Sequence, residues 1–156
     1  MRTCNSRPSS GFSFVELLLV MLTISVLAAI AAPRYASSLS LYRVRAAAQR
    51  IATDLNFAAS AARAGSDSRT VSFDVVSNTY QLIGIADVER RAGTWSVLLS
   101  DEPYVVTLVS VDLGGDASIT FNGAGMPDSG GTVVLRSGLH HRQVDVNSTS
   151  GRATVR

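Results

Sequence analysis

The sequence predicts an α+β protein: one long N-terminal helix, membrane-embedded in its first half, packed on an antiparallel β-sheet or sandwich. Three observations lead there. Between Leu17 and Ala32 no residue is charged, and Thr23 and Ser25 are the only hydroxyls. After Pro33 apolar side chains return at helical spacing as far as residue 63. Beyond Gly65 the texture changes to short alternating runs separated by Gly, Asn, Asp and Pro. The chain of 156 residues thus divides into four segments: a polar lead-in (1–11), an apolar helix (12–33), its amphipathic continuation (34–63) and a β domain (64–156).

The lead-in, "MRTCNSRPSSG", carries Arg2 and Arg7 and no acid. Positive charge ahead of an apolar run orients the chain, with its N-terminus in the cytoplasm and the β domain across the membrane. Phe12 to Ala32 is 21 residues, long enough for a bilayer at a rise of 1.5 Å per residue. Glu16 interrupts the pattern near its entrance. An acid costs about 2.5–3.5 kcal/mol at a bilayer centre and less towards an edge, and such residues usually mark function. The residues alone leave three readings open. The run is an ordinary secretory signal, cut near Ala29-Ile30-Ala31 to release a periplasmic β domain. It is a plain anchor. Or it is an anchor in which Glu16 has a task of its own.

Along the second half of the helix, Leu39, Tyr42, Ala46, Ile51, Leu55, Ala58 and Ala62 mark the packed face, with Arg43, Arg45, Arg50 and Asp54 on the others. Ala46, Ala47, Ala48, Ala58, Ala59, Ala61 and Ala62 add helix propensity. Gly65 reads as the stop, with Arg63 suited to the C-terminal dipole, and Pro33 as the site of a bend. Strands are expected over 69–76, 79–85, 95–99, 104–111, 117–122, 131–137, 142–148 and 152–156, with a charged, solvent-exposed loop at 86–93.

Enzyme chemistry finds no support. Cys4 is the only cysteine, so neither an internal disulfide nor a cysteine metal site can form. His140 and His141 are adjacent on a turn, point apart, and have no clear third ligand, so no metal and no cofactor is expected. Asp112 and Asp116 are too few for a calcium cage. No serine sits in a nucleophile elbow, and "GAGMPDSGG" lacks the lysine of a phosphate loop, so it reads as a turn.

The net charge of +2 resides in the lead-in; without Arg2 and Arg7 the chain has 12 basic and 12 acidic residues. Charge is unevenly spread, however. Residues 129–156 hold Arg136, Arg142, Arg152 and Arg156 against Asp145 alone. Arginines suit phosphate contacts, yet they also suit a solvated edge or a subunit contact.

The order of features at the N-terminus is specific: basic leader, Gly11, Phe12, Glu16 four residues on, apolar run, Pro33. It resembles the processing motif of type IV pilins and type II secretion pseudopilins. The resemblance implies that residues 1–11 are a cytoplasmic prepilin leader. A prepilin peptidase then cuts between Gly11 and Phe12, and Phe12 is N-methylated. Phe12, Glu16 and Pro33 serve assembly, with Glu16 pairing with the Phe12 amine of a neighbour.

"ITFNGAGMPDSGGTVVL" and "RQVDVNSTSGRATVR" further resemble the minor-pseudopilin group that contains the type II secretion protein H and the pilus-assembly protein FimT. That likeness implies a single-pass inner-membrane protein with a periplasmic β domain, assembled at or near the tip of a pseudopilus. Its partners are other pseudopilins and the inner-membrane assembly platform, and its role is to support export of folded proteins. The alternative within the superfamily is a FimT-like minor type IV pilin acting in pilus assembly or DNA uptake. Such relatives carry a C-terminal Gly-Arg-x-Arg. Here Gly151-Arg152 is followed by Ala153-Thr154, and the next arginine is Arg156, so the motif is half matched.

Overall fold

The computed structural model describes residues 11–86 and 94–156. The lead-in residues 1–10 and most of the 86–93 loop lie outside the described residues. The chain forms two compact units, Met1–Ala36 and Ser37–Arg156, and helix α1 (Phe14–Gly65) contributes to both. In the first unit every described side chain is exposed, and α1 stays helical on both sides of Pro33. By length and composition α1 can cross a membrane. Its two hydroxyls there are satisfied internally: Thr23 Oγ1 donates to the Val20 carbonyl at 2.8 Å and Ser25 Oγ to that of Met21 at 2.7 Å. Neither would be left unpaired in hydrocarbon.

The second unit begins with the amphipathic half of α1. Its buried stripe is Val44, Ala47, Ala48, Ile51, Ala52, Leu55, Ala58, Ala59 and Ala62. Eight strands succeed it: β1 (Arg69–Asp74), β2 (Thr79–Ala86), β3 (Thr94–Leu98), β4 (Thr107–Asp112), β5 (Ser118–Phe121), β6 (Gly131–Ser137), β7 (His140–Val146) and β8 (Ala153–Val155). They form two antiparallel sheets of four, ordered β3-β2-β1-β5 and β4-β6-β7-β8. Register places buried residues opposite one another, as in Val71↔Leu82, Phe73↔Tyr80, Val71↔Ile119 and Val133↔Val144. The inner faces of both sheets share one core with the helix stripe.

Several boundaries differ from the sequence reading. α1 is closed by Ser66, at φ 51°, instead of by Gly65. Asp67 N–H bonds the Ala62 carbonyl at 3.2 Å and Ser66 N–H that of Arg63 at 3.4 Å, which is a Schellman closure with a serine in the left-handed position. β1 stops at Asp74, two residues early, because Asp74 Oδ1 accepts the N–H groups of Val76 and Ser77, and Oδ2 the Ser77 hydroxyl. These bonds hold the Asp74 carboxyl below the usual carboxylate range, the Ser77 hydroxyl contributing most. β4 starts three residues late because Tyr104 and Val105 both donate to the Asp101 carbonyl, closing a turn. The Gly-rich stretch is the expected turn, built on Asn122, whose Oδ1 accepts from Ala124 and Met126 at 3.0 Å. Gly125 is required in it: φ is +70°, and a Cβ would lie 2.7 Å from the Ala59 carbonyl oxygen.

The packed face of α1 is also rotated from the expected one. Tyr42 is 69% exposed, whereas Asp54, expected on a polar face, is only 4% exposed. Asp54 is tolerated because Oδ2 accepts from the Tyr80 hydroxyl at 2.6 Å and from Arg50 Nε at 3.0 Å. Arg50 in turn lies over the Trp95 ring, 5.7 Å from its centroid. Burial alone would lower the Arg50 pKa, but the hydrogen bond and charge of Asp54 outweigh it and the value rises. Burial, reinforced by Asp54, pushes the Tyr80 phenol well above its ordinary value.

Tyr80→Phe removes one of Asp54's two donors without changing ring volume and should cost about 1–3 kcal/mol in chemical denaturation. The raised Tyr80 pKa also sets a sign. Its contribution is complete below the unfolded pKa of about 10 and is lost as pH rises above it. Stability of the parent should therefore decline above that pH more steeply than stability of Tyr80→Phe, as denaturation midpoints across an alkaline series would report.

Candidate assembly segment and basic strands

Gly11, Phe12 and Ser13 precede α1. Ser13 is the N-cap, since its carbonyl accepts the Leu17 N–H at 3.1 Å, the first bond of the helix. Glu16 therefore occupies the third helical position. There the unpaired N–H groups of the first turn carry partial positive charge and favour an acid. Ser13-x-x-Glu16 has the spacing of a capping box, a local signal that hydropathy patterning passes over. Among the described residues neither side chain makes a hydrogen bond, so the carboxylate is held by no partner of its own. Phe12 and Glu16 are both exposed, one turn apart. Pro33 sits inside α1, where its missing N–H leaves the Ala29 carbonyl without its helical donor.

The C-terminal arginines do not form one patch. Arg136 lies on the exposed face of β6 opposite His141, while Arg142 pairs with Leu135 on the helix-facing side. Arg152 and Arg156 flank β8 and, as their spacing predicts, share an exposed face separated by buried Ala153. Arg156 Nε is 3.1 Å from Asp145 Oδ2. His140 and His141 open β7 instead of lying on the turn, which is Gly138-Leu139. His140 Nε2 is 3.0 Å from Ser37 Oγ, and His141 is exposed. Among the described residues no three His, Cys, Asp or Glu side chains cluster in a metal-binding arrangement.

β8 is positioned by a contact that sequence reasoning missed. Asn56 Nδ2 donates to the Ala153 carbonyl at 3.1 Å, and Asn56 Oδ1 accepts the Ala153 N–H at 3.0 Å. The side-chain amide does what a neighbouring strand would do and fastens the short edge strand to the helix. A lone asparagine among alanines gives no signal in sequence that would single it out.

A family model for the type II transport protein GspH matches residues 47–150. The chain belongs to the GspH family. The matched region runs from the buried half of α1 to the turn before β8, so membership rests on the helix stripe and the two sheets that close on it. Gly11, Phe12, Glu16 and Pro33 lie outside it, as do Arg152 and Arg156. A comparison with curated proteins and another with solved structures return no match. GspH proteins are structural pseudopilins rather than enzymes, and membership supports a pseudopilin-like role in type II secretion alongside other pseudopilins. The single N-terminal apolar helix fits a single-pass membrane anchor for such a component.

Asn56→Ala should free β8 without disturbing the alanine stripe. Two backbone groups lose their partners, so local opening should become easier by about 1–3 kcal/mol. Hydrogen exchange at the β8 amides should then quicken about five- to hundredfold while the β6 amides keep their protection.

Proposed function

We propose that the chain is a minor pseudopilin, a structural subunit at or near the tip of a periplasmic pseudopilus that supports export of folded proteins across the outer membrane. It enters the inner membrane with residues 1–11 in the cytoplasm and the β domain in the periplasm. Prepilin peptidase cuts between Gly11 and Phe12, Phe12 is methylated, and the subunit is drawn by the assembly platform into a bundle of pseudopilin helices.

The observation that carries this reading is Glu16, an acid with no partner among the described residues, in the first turn of an exposed apolar helix, in a chain of the GspH family. Cleavage after Gly11 creates a charged amine at Phe12. Buried alone, either the amine or the carboxylate is costly; facing one another in a medium of low dielectric, they attract far more strongly than in water. Within one subunit the helix N-terminus already favours the carboxylate. Between subunits, Glu16 of one and the Phe12 amine of the next fix the axial register of stacked helices. Addition of a subunit satisfies two charges at once.

DNA uptake as a minor type IV pilin has weaker support. Arg142 lies on the opposite face of the β6-β7-β8 sheet from Arg136, Arg152 and Arg156, Arg156 is engaged by Asp145, and the family model that matches is that of a type II transport protein. Phosphate binding asks for cations on one surface.

The mass of the mature N-terminus tests the reading directly. Methylated Phe12 is expected, and a start at Ala32 or Pro33 would instead indicate an ordinary signal peptide. Glu16→Ala should be processed normally and yet enter filaments poorly, as immunoblots of sheared pseudopili would show. Unimpaired incorporation contradicts the charge pairing. Gly11→Leu should accumulate as full-length precursor, because the peptidase site must admit a small residue.

A further inference from the structure

Beside β8 runs an open groove of about 750 Å³, lined on the helix by Tyr42, Arg45 and Gln49 and on the sheet by Arg142, Val155 and Arg156. None of these residues belongs to the assembly segment. The helix positions recur at steps of three and four, so they form one stripe along α1, and the same stripe leads on to Asn56. Asn56 closes the sheet edge at Ala153. Two residues further the edge is open. Gln143 and Arg156 exchange both backbone bonds, at 3.1 and 2.8 Å, so antiparallel alternation turns the N–H and C=O of Val155 away from β7 and towards the groove. Gln49 makes no bond to them.

The groove is also cationic. Arg45 makes no hydrogen bond or ion pair among the described residues, and Arg142 donates only to the adjoining His141 carbonyl, at 3.0 Å. Arg156 is neutralised by Asp145, which leaves Arg45 and Arg142 as the cations available to a ligand.

We infer that this groove receives an extended acidic peptide segment of another protein, added as a strand to the edge of β8. The outward Val155 pair supplies one donor and one acceptor for the incoming backbone, and Arg45 and Arg142 take carboxylates on its alternate side chains. Exposed Tyr42, on the same stripe as Arg45, offers an aromatic face to the aliphatic stems of those carboxylate side chains. A nucleic acid fits less well, because a phosphodiester has no donor for the Val155 carbonyl.

The test uses the full chain in detergent micelles and a short fluorescein-labelled peptide of alternating valine and glutamate, followed by anisotropy. Saturable binding is expected, with slowed hydrogen exchange at the Val155 amide. Exchanging glutamate for lysine in the peptide, or Arg45→Gln in the protein, should each weaken binding about tenfold. N-methylation of alternate peptide amides should abolish it, since strand addition needs those donors. Each of three results overturns the inference: no saturable binding, equal binding of the N-methylated peptide, or equal binding of the lysine peptide. So does displacement of the peptide by a duplex oligonucleotide that binds more tightly, which would assign the groove to nucleic acid.

Discussion

Both sheets of the second unit close on a single stripe of α1, and most of that stripe is alanine. The helix contributes mostly small side chains, so core volume comes mostly from the sheets: Tyr80, Phe121, Leu82, Leu135 and Ile119 are fully buried. An arrangement with small residues on one side and large ones on the other tolerates little change. Enlarging an alanine pushes a sheet away, and shrinking a strand residue opens a cavity that the helix cannot fill. The loop around Gly125 is the part that comes closest to the helix backbone in this region, running against the Ala59 carbonyl with no room for a Cβ.

Asp54 is the exception within that stripe, and its position explains a failure of sequence reasoning. Periodicity placed the core half of α1 correctly but set its face too near Tyr42 and placed Asp54 outside. Helical spacing alone cannot separate a face shifted by one residue, because alanine is neutral in any such count. What settles the face is a partner from far along the chain, Tyr80, whose hydroxyl reaches Asp54. Long-range partners of this kind leave no local trace. The same holds for Asn56 and its double bond to Ala153.

The strands were far more legible, since alternation and turn residues are local signals. Where strand ends moved, a side chain or carbonyl had captured backbone donors that the ladder would otherwise use: Asp74 ends β1, and Asp101 delays β4. Near the N-terminus, composition alone identified the apolar run and its acid. The capping-box spacing of Ser13 and Glu16 gives the acid a local electrostatic reason to be there, beside the intermolecular one proposed for it. The two are compatible, because a helix end that favours a carboxylate lowers the cost of holding it in an apolar helix.

Edges govern how the β domain meets other proteins. An exposed edge strand offers unpaired donors and acceptors to any chain that can extend beside it. Here pairing is irregular at two edges: the register shifts between Leu108 and Ser110 where β4 meets β6, and between Leu82 and Ala86 where β2 meets β3. β8 is short, and Asn56 occupies half of its free side. What stays open at Val155 is small and flanked by guanidinium groups. Positive charge at that point repels the basic tail of a second copy and admits an acidic strand, so selectivity follows from Arg45 and Arg142 beside the open edge.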